Sequence, residues 1–155
     1  MSASPVLKPE ATIGILGGGQ LGRMLALAAA RLGFRCHAFS PDADSCAFDV
    51  MQHSTCAAYD DHAALARFAD AVDVITYEFE NIPAETAAFL AARRPVIPDP
   101  AVLAKTQDRL VEKNFIQDLE IATAPFVAVE SAADLAKAVS SVVRYFYRHA
   151  TARSA

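Results

Sequence analysis

The chain has 155 residues, of which 54% are apolar and 21% charged, and a net charge of -4. This balance excludes a disordered chain and provides a core for one domain, or one domain plus a fragment, although much of the apolar count is alanine. It also argues against nucleic acid as the main partner. No apolar run reaches the roughly 18 residues that cross a bilayer, so no membrane partner is expected.

The first eleven residues are polar and interrupted by proline, without the apolar centre of a signal peptide, so the chain is expected to be cytoplasmic. Thr12–Leu16 is a short β-branched run ending at glycines and predicts a buried strand. Leu21, Met24, Leu25, Ala28 and Leu32 follow at helical spacing, and Gly33 stops that helix. Arg35–Ser40 predicts a second strand, residues 42–50 a turn or short helix, and residues 52–57 a weak third strand. Asp61 can cap a helix whose Leu65, Phe68, Ala69 and Val72 share a face. Residues 72–77 form a fourth predicted strand, Pro83 suits the first turn of a helix running to about Arg93, and residues 96–97 form a short fifth strand. Alternating strands and helices of these lengths predict an α/β fold, a Rossmann-like parallel sheet covered on both faces and complete by residue 98.

The rest reads differently. Asp99-Pro100 looks like a cap followed by proline at the first helical position. Residues 106–119 predict a helix with Val111, Phe115 and Leu119 on its buried face, and residues 125–129 a brief extended piece. Ser131 to Asp134 is a capping-box pattern opening a further helix, and the spacing of Leu135, Val139, Val142 and Phe146 carries it towards His149. Residues 140–155 hold three arginines and no acid. The three cysteines, Cys36, Cys46 and Cys56, form no C-x-x-C and read as reduced thiols; the scattered histidines give no metal-ligand set.

Three segments can carry chemistry. Gly17-Gly18-Gly19-Gln20-Leu21-Gly22 satisfies G-x-G-x-x-G between a strand and a helix. There, backbone N–H groups and the helix dipole can meet an anion, which favours a phosphate or nucleotide site over a bare tight turn. A dinucleotide enzyme wants an acid at the end of the second strand, where this chain has Ser40-Pro41, with Asp42 slightly late; an oxidoreductase is weakened. Glu78 and Glu80, in Thr76-Tyr77-Glu78-Phe79-Glu80-Asn81 at the end of the fourth strand, face one side of an extended segment. Either they serve ribose hydroxyls or an amine, or they belong to a solvated loop before the next helix. In Gln107-Asp108-Arg109-Leu110-Val111-Glu112-Lys113, Arg109 lies off the apolar face; a surface helix of mixed charge is favoured over a phosphate clamp.

Taken together, the strings from Ile13 to Met24, Ser40 to Ser45, Thr76 to Pro83 and Gln107 to Lys113 closely resemble 5-(carboxyamino)imidazole ribonucleotide synthases, ATP-grasp carboxylases of purine biosynthesis. The resemblance covers residues 12 to about 139. It implies a pre-ATP-grasp substrate-binding domain over residues 12–100, after a disordered N-terminus at 1–11, and the helical start of an ATP-grasp region at 101–139. In the family's reaction ATP phosphorylates bicarbonate, and the carboxyphosphate, or carbon dioxide from it, is captured by the amine of 5-aminoimidazole ribonucleotide. The resemblance assigns Gly19, Gln20, Leu21 and Glu78 to the ribonucleotide and Arg109 to ATP, reversing the balance for that arginine. It assigns no catalytic residue here. ATP with magnesium is the implied cofactor pair, the magnesium ligands lying in a part of the family sequence this chain does not carry. Family members are commonly homodimers; this chain need not be.

After Val139 the family continues with an ATP-binding lysine, a Gly-rich lid and acidic metal ligands, whereas residues 140–155 resemble nothing in it. The expectation is a truncated or frameshifted, inactive form of the carboxylase, exposing Phe115, Phe126 and Phe146 as an apolar patch. The competing readings are a stand-alone nucleotide-binding module without catalysis and an NAD-dependent oxidoreductase.

Overall fold

The computed structural model describes residues 6–139; the first five residues and the tail expectations for residues 140–155, Phe146 among them, lie outside the described residues. Four strands, β1 (Thr12–Leu16), β2 (Arg35–Ser40), β3 (His53–Cys56) and β4 (Val74–Tyr77), form one parallel sheet in the order β3-β2-β1-β4. The chain winds outward from β1 to β2 and β3, then returns to place β4 on the other side of β1. That reversal is the topological switch point of an α/β sheet, the usual location of a ligand crevice.

Helix α1 (Gln20–Arg31) follows β1 and is rich in alanine and leucine, strong helix formers. It closes at Gly33, whose φ of 83° is the left-handed conformation glycine tolerates, with the Phe34 N–H returning to the Ala29 carbonyl. Helix α2 (His62–Asp70) is capped as expected by Asp61, whose carboxylate accepts from the Ala64 N–H at 2.9 Å. Helix α3 (Ala84–Ala91) follows Pro83, and α4 (Pro100–Thr106) opens with Asp99 capping and Pro100 in the first turn.

The main core lies on the α2–α3 face of the sheet, where Leu16, Phe39, Leu65, Phe68, Ile75, Ile82, Leu90 and Leu103 are fully buried. A smaller cluster of Ile15, Ala26 and Cys36 lies on the α1 face. Gly14 belongs to the first face: a Cβ there would stand 2.7 Å from the Phe68 ring. Ahead of β1, the Glu10 N–H donates to the Gly33 carbonyl.

Two predicted elements are corrected in their extent. The fifth strand reduces to one parallel bridge between Ile75 and Val96. Pro95 and Pro98 flank the pair and lack N–H groups, so the ladder cannot extend. The predicted helix at 106–119 is two helices: α4 ends at Thr106, and α5 (Arg109–Asp118) begins after Asp108, whose carboxylate accepts from Leu110 and Val111 N–H groups. Asp108 therefore restarts the helix instead of sitting inside it.

By compactness the chain divides into two units, residues 1–107 and 108–155. In the second unit, residues 132–139 are helical and start at the predicted capping box, with the Asp134 N–H donating to Ser131 Oγ. Residues 125–129 form no strand. Val111, Phe115 and Leu119 are exposed, so the apolar stripe on α5 is not the buried face expected of it. An i, i+4, i+8 stripe reports that a helix can pack, and does not require a partner within the same chain.

Candidate ligand site at the sheet edge

The carboxyl ends of all four strands open into one cleft of about 480 Å³. Gly18 and Gly19 come from the turn after β1 and Gln20 from the start of α1, while Ser40 ends β2 and Pro41, Asp42, Asp44, Ser45 and Cys46 follow it. Tyr59 lies beyond β3, and Glu78 and Phe79 follow β4. The switch point between β1 and β4 sits between the glycine turn and Glu78.

The glycine turn is built around its neighbours. Gly17 has φ 115°, and a Cβ on it would lie 2.4 Å from Glu78 Cγ. The Gly17 N–H is held by the Phe39 carbonyl at 2.9 Å, and the Glu78 N–H by the Leu16 carbonyl at 3.2 Å, so sheet hydrogen bonding fixes both sides of the turn. Glu78 then reaches across the gap: its Oε1 accepts from the Gly19 N–H at 3.1 Å. The donor at the start of α1 is thus met by the chain's own carboxylate, where negative charge is favourable. A Cβ on Gly22 would stand 3.1 Å from the Gly17 carbonyl oxygen, so that glycine lets α1 lie close over the turn.

The opposite wall is a closed loop. Ser40 and Ser45 are both buried. Ser45 Oγ is 2.6 Å from the Asp42 carbonyl and 2.9 Å from Ser40 Oγ, while Ser40 Oγ accepts from the Asp42 N–H and Asp42 Oδ1 from the Asp44 N–H. The Ala47 N–H donates to the Gly18 carbonyl, and Arg23 Nη1 to the Cys46 carbonyl and Asp49, which ties the loop to the turn and to α1. A Cβ on Gly18 would collide with Ser45 Oγ at 2.1 Å. The position where a dinucleotide fold keeps its ribose-binding acid is therefore filled by a serine already engaged in its own loop.

Electrostatically the cleft is acidic: among the described residues its lining holds three carboxylates, Asp42, Asp44 and Glu78, and no lysine or arginine. Burial, with the Glu78 charge beside it, pushes the Tyr59 phenol up to about 12. Tyr59 was not singled out from the sequence; the rule that strand carboxyl ends face the crevice points to the segment after β3, but no motif marks the residue.

Of the residues assigned by resemblance, Gly19, Gln20 and Glu78 converge on this cleft. Leu21 does not line it; its side chain is 56% exposed on α1. Arg109 belongs to the second unit, where it pairs with Glu112 at the start of α5. There Asp108, Arg109, Lys113, Phe126 and Glu130 border a separate hollow of about 590 Å³. Among the described residues no three His, Cys, Asp or Glu side chains gather to hold a metal ion, and no helix is long and apolar enough to cross a membrane.

A parallel sheet with a glycine turn and an acidic strand end flanking its switch point defines a Rossmann-like ligand-binding domain. Residues 10–107 match the model of the ribonucleotide synthetase preATP-grasp domain, and the chain belongs to that family. It is 49% identical over 136 residues to the N5-carboxyaminoimidazole ribonucleotide synthase of Brucella melitensis, which covers 88% of this chain and 38% of that relative. The ADP complex of the Staphylococcus aureus N5-carboxyaminoimidazole synthetase superposes with a TM-score of 0.81 at 37% identity, over 86% of this chain and 36% of that one. The Aspergillus clavatus enzyme in complex with ADP and 5-aminoimidazole ribonucleotide gives a TM-score of 0.73 at 25% identity, over 85% and 36% of the two chains. The chain thus spans little more than a third of the length of these relatives.

Proposed function

We propose that residues 10–107 form the ribonucleotide-binding lobe of an N5-carboxyaminoimidazole ribonucleotide synthase, and that the cleft receives 5-aminoimidazole ribonucleotide. The observation that carries this reading is the convergence of Gly19, Gln20 and Glu78 at the switch point, with the Glu78 carboxylate anchored by the Gly19 N–H. An anchored carboxylate with a second oxygen available is suited to accept hydrogen bonds from ribose hydroxyls or an amine. Gln20, at the first position of α1, adds an amide that can both donate and accept.

The reaction proposed for the whole enzyme is ATP-dependent carboxylation with bicarbonate. Bicarbonate takes the γ-phosphoryl group of ATP and ADP leaves; the exocyclic amine then forms a C–N bond to the carboxyl carbon of the carboxyphosphate, phosphate leaves, and the amine loses a proton. This lobe's part is to hold and orient the amine-bearing partner; positioning of that kind accounts for much of the rate of such reactions. In the second unit, Arg109 would exchange its Glu112 partner for ATP phosphates.

The test is calorimetric titration of the purified chain with 5-aminoimidazole ribonucleotide and, separately, NAD. Binding of the ribonucleotide in preference to NAD, weakened about tenfold or more by Glu78→Ala, supports the reading. Preferential NAD binding, or ribonucleotide affinity indifferent to Glu78→Ala, would refute it.

A further inference from the structure

The cleft has the glycine turn and helix start that usually receive phosphate, yet its lining carries three acids and no base among the described residues. One donor that a phosphate at this turn would use, the Gly19 N–H, is already bonded to Glu78 Oε1 at 3.1 Å. The glycines on either side of that bond are spaced for the Glu78 side chain: a Cβ on Gly17 would lie 2.4 Å from its Cγ, and one on Gly19 3.1 Å from its Oε1. The turn is therefore shaped around an internal carboxylate, and Arg23 does not offset the charge, since it is held by the Cys46 carbonyl and Asp49.

We infer that Glu78 determines the ligand class of the cleft: it occupies the amide at the start of α1, so that ligands enter through hydroxyl or amine donors and phosphate-type anions are refused there. The inference deepens the proposed function and rests on the cleft being the ligand site. Two effects act together. An incoming anion must displace Glu78 from the Gly19 N–H, and it must approach Asp42 and Asp44 without a compensating cation. A hydroxyl or amine of the ribonucleotide faces neither cost, because it can hydrogen-bond the remaining Glu78 oxygen while Oε1 stays in place and the ligand's own phosphate lies away from the glycine turn. The G-x-G-x-x-G string thus encodes a turn closed to pyrophosphate, and the residue that closes it comes from the end of β4, far away in sequence.

The test uses the full chain, labelled with nitrogen-15, and follows the Gly19 and Gln20 amide resonances during titration with inorganic pyrophosphate and, separately, 5-aminoimidazole ribonucleotide. In the wild type, pyrophosphate leaves the Gly19 amide unmoved. Glu78→Ala vacates the donor, and Glu78→Gln keeps the side-chain length but removes the charge. In both, pyrophosphate shifts the Gly19 amide and binds about tenfold or more tighter than to the wild type. Glu78→Ala gives the larger gain. Pyrophosphate moving the wild-type Gly19 amide with the affinity seen in the variants overturns the inference, as does a failure of both folded variants to gain affinity. Should neither variant fold, the wild-type titration alone decides, since a saturable Gly19 shift with pyrophosphate refutes the gate and its absence upholds it. If the wild type ignores the ribonucleotide while the variants gain pyrophosphate, the ribonucleotide reading falls and the gate stands. Ribonucleotide binding together with equal pyrophosphate binding by all three proteins has the opposite meaning.

Discussion

Gly18→Ala isolates the contact that joins the glycine turn to the loop after β2. The added Cβ would fall 2.1 Å from Ser45 Oγ, 2.4 Å from Ser45 Cβ and 2.9 Å from Ser40 Cβ. Gly18 has no left-handed φ, so the effect is steric and not a matter of backbone strain. Ser45 and Ser40 are 7% and 5% exposed, and Ser45 cannot retreat without leaving the Asp42 carbonyl. Overpacking of a tight interior site costs about 1–3 kcal/mol. One or two lost hydrogen bonds add about 1 kcal/mol each. The expected destabilisation is about 2–5 kcal/mol, a large share of the roughly 5–15 kcal/mol that holds a domain of this kind. For a unit near 100 residues this lowers the melting temperature by about 10 °C or more. Urea unfolding followed by circular dichroism should show a lower midpoint with an unchanged slope. Ser45→Gly should be destabilising alone, because it discards the loop hydrogen bonds, but should restore stability in the Gly18→Ala background by removing the colliding atoms. The two substitutions should therefore couple by about 1 kcal/mol or more. A Gly18→Ala midpoint equal to the wild type, or strictly additive effects in the double variant, would refute the packing account of the turn.

Gly14→Ala tests the sheet away from the cleft: its Cβ would meet the buried Phe68 ring at 2.7 Å and Val72 at 3.1 Å, so a loss of about 1–3 kcal/mol in urea unfolding is expected with ligand affinity unchanged. His37 is buried on β2 with Nε2 2.9 Å from Thr55 Oγ1, and burial, with His53 beside it, holds its pKa below the ordinary value. The unfolded chain then binds the proton first, so this group's contribution to stability is complete above about pH 6.5 and declines as pH falls below it. His37→Gln should flatten that decline, and identical acid limbs for the two proteins would contradict it. Tyr59 acts at the other end: with its phenol at about 12, the unfolded state ionises first, and stability falls as pH rises above about 10. Ultraviolet titration should find a phenol ionising near 12 that disappears in Tyr59→Phe; its persistence in that variant would exclude the assignment.

The local elements of the first unit were legible because each carries its own punctuation. Arg35–Ser40 ends at Pro41, α1 ends at Gly33, and α2 and α4 open at Asp61 and Asp99. The failures occur where an adjacent residue overrides composition, or where the deciding interaction is not local. Residues 96–97 have strand composition, but the flanking prolines limit them to a bridge. Asp108 looked like a polar residue within a helix, although its side chain caps α5, while the preceding Gln107 turns back to donate to the carbonyls of Glu80 and Ile82. Those bonds span more than twenty residues, and no window of the sequence contains both ends.

The same distinction governs the site. G-x-G-x-x-G predicted the turn because glycines answer a local demand for close approach and left-handed backbone. It could not say what approaches. A sequence pattern assigns the space to a ligand by default, whereas the structure fills part of it with Glu78 on one side and Ser45 on the other. Gly17 and Gly18 are therefore needed even when the cleft is empty, and their substitution should lower stability before any ligand is added. The Glu78 substitutions are expected to change which ligand binds. The separation is physical: the glycines accommodate side chains already present, while the carboxylate sets the charge that an incoming group must meet. On the proposed reading the glycine spacing leaves the ligand open, and the residue at the end of the strand across the switch point, here Glu78 beside β1, sets which group the turn accepts.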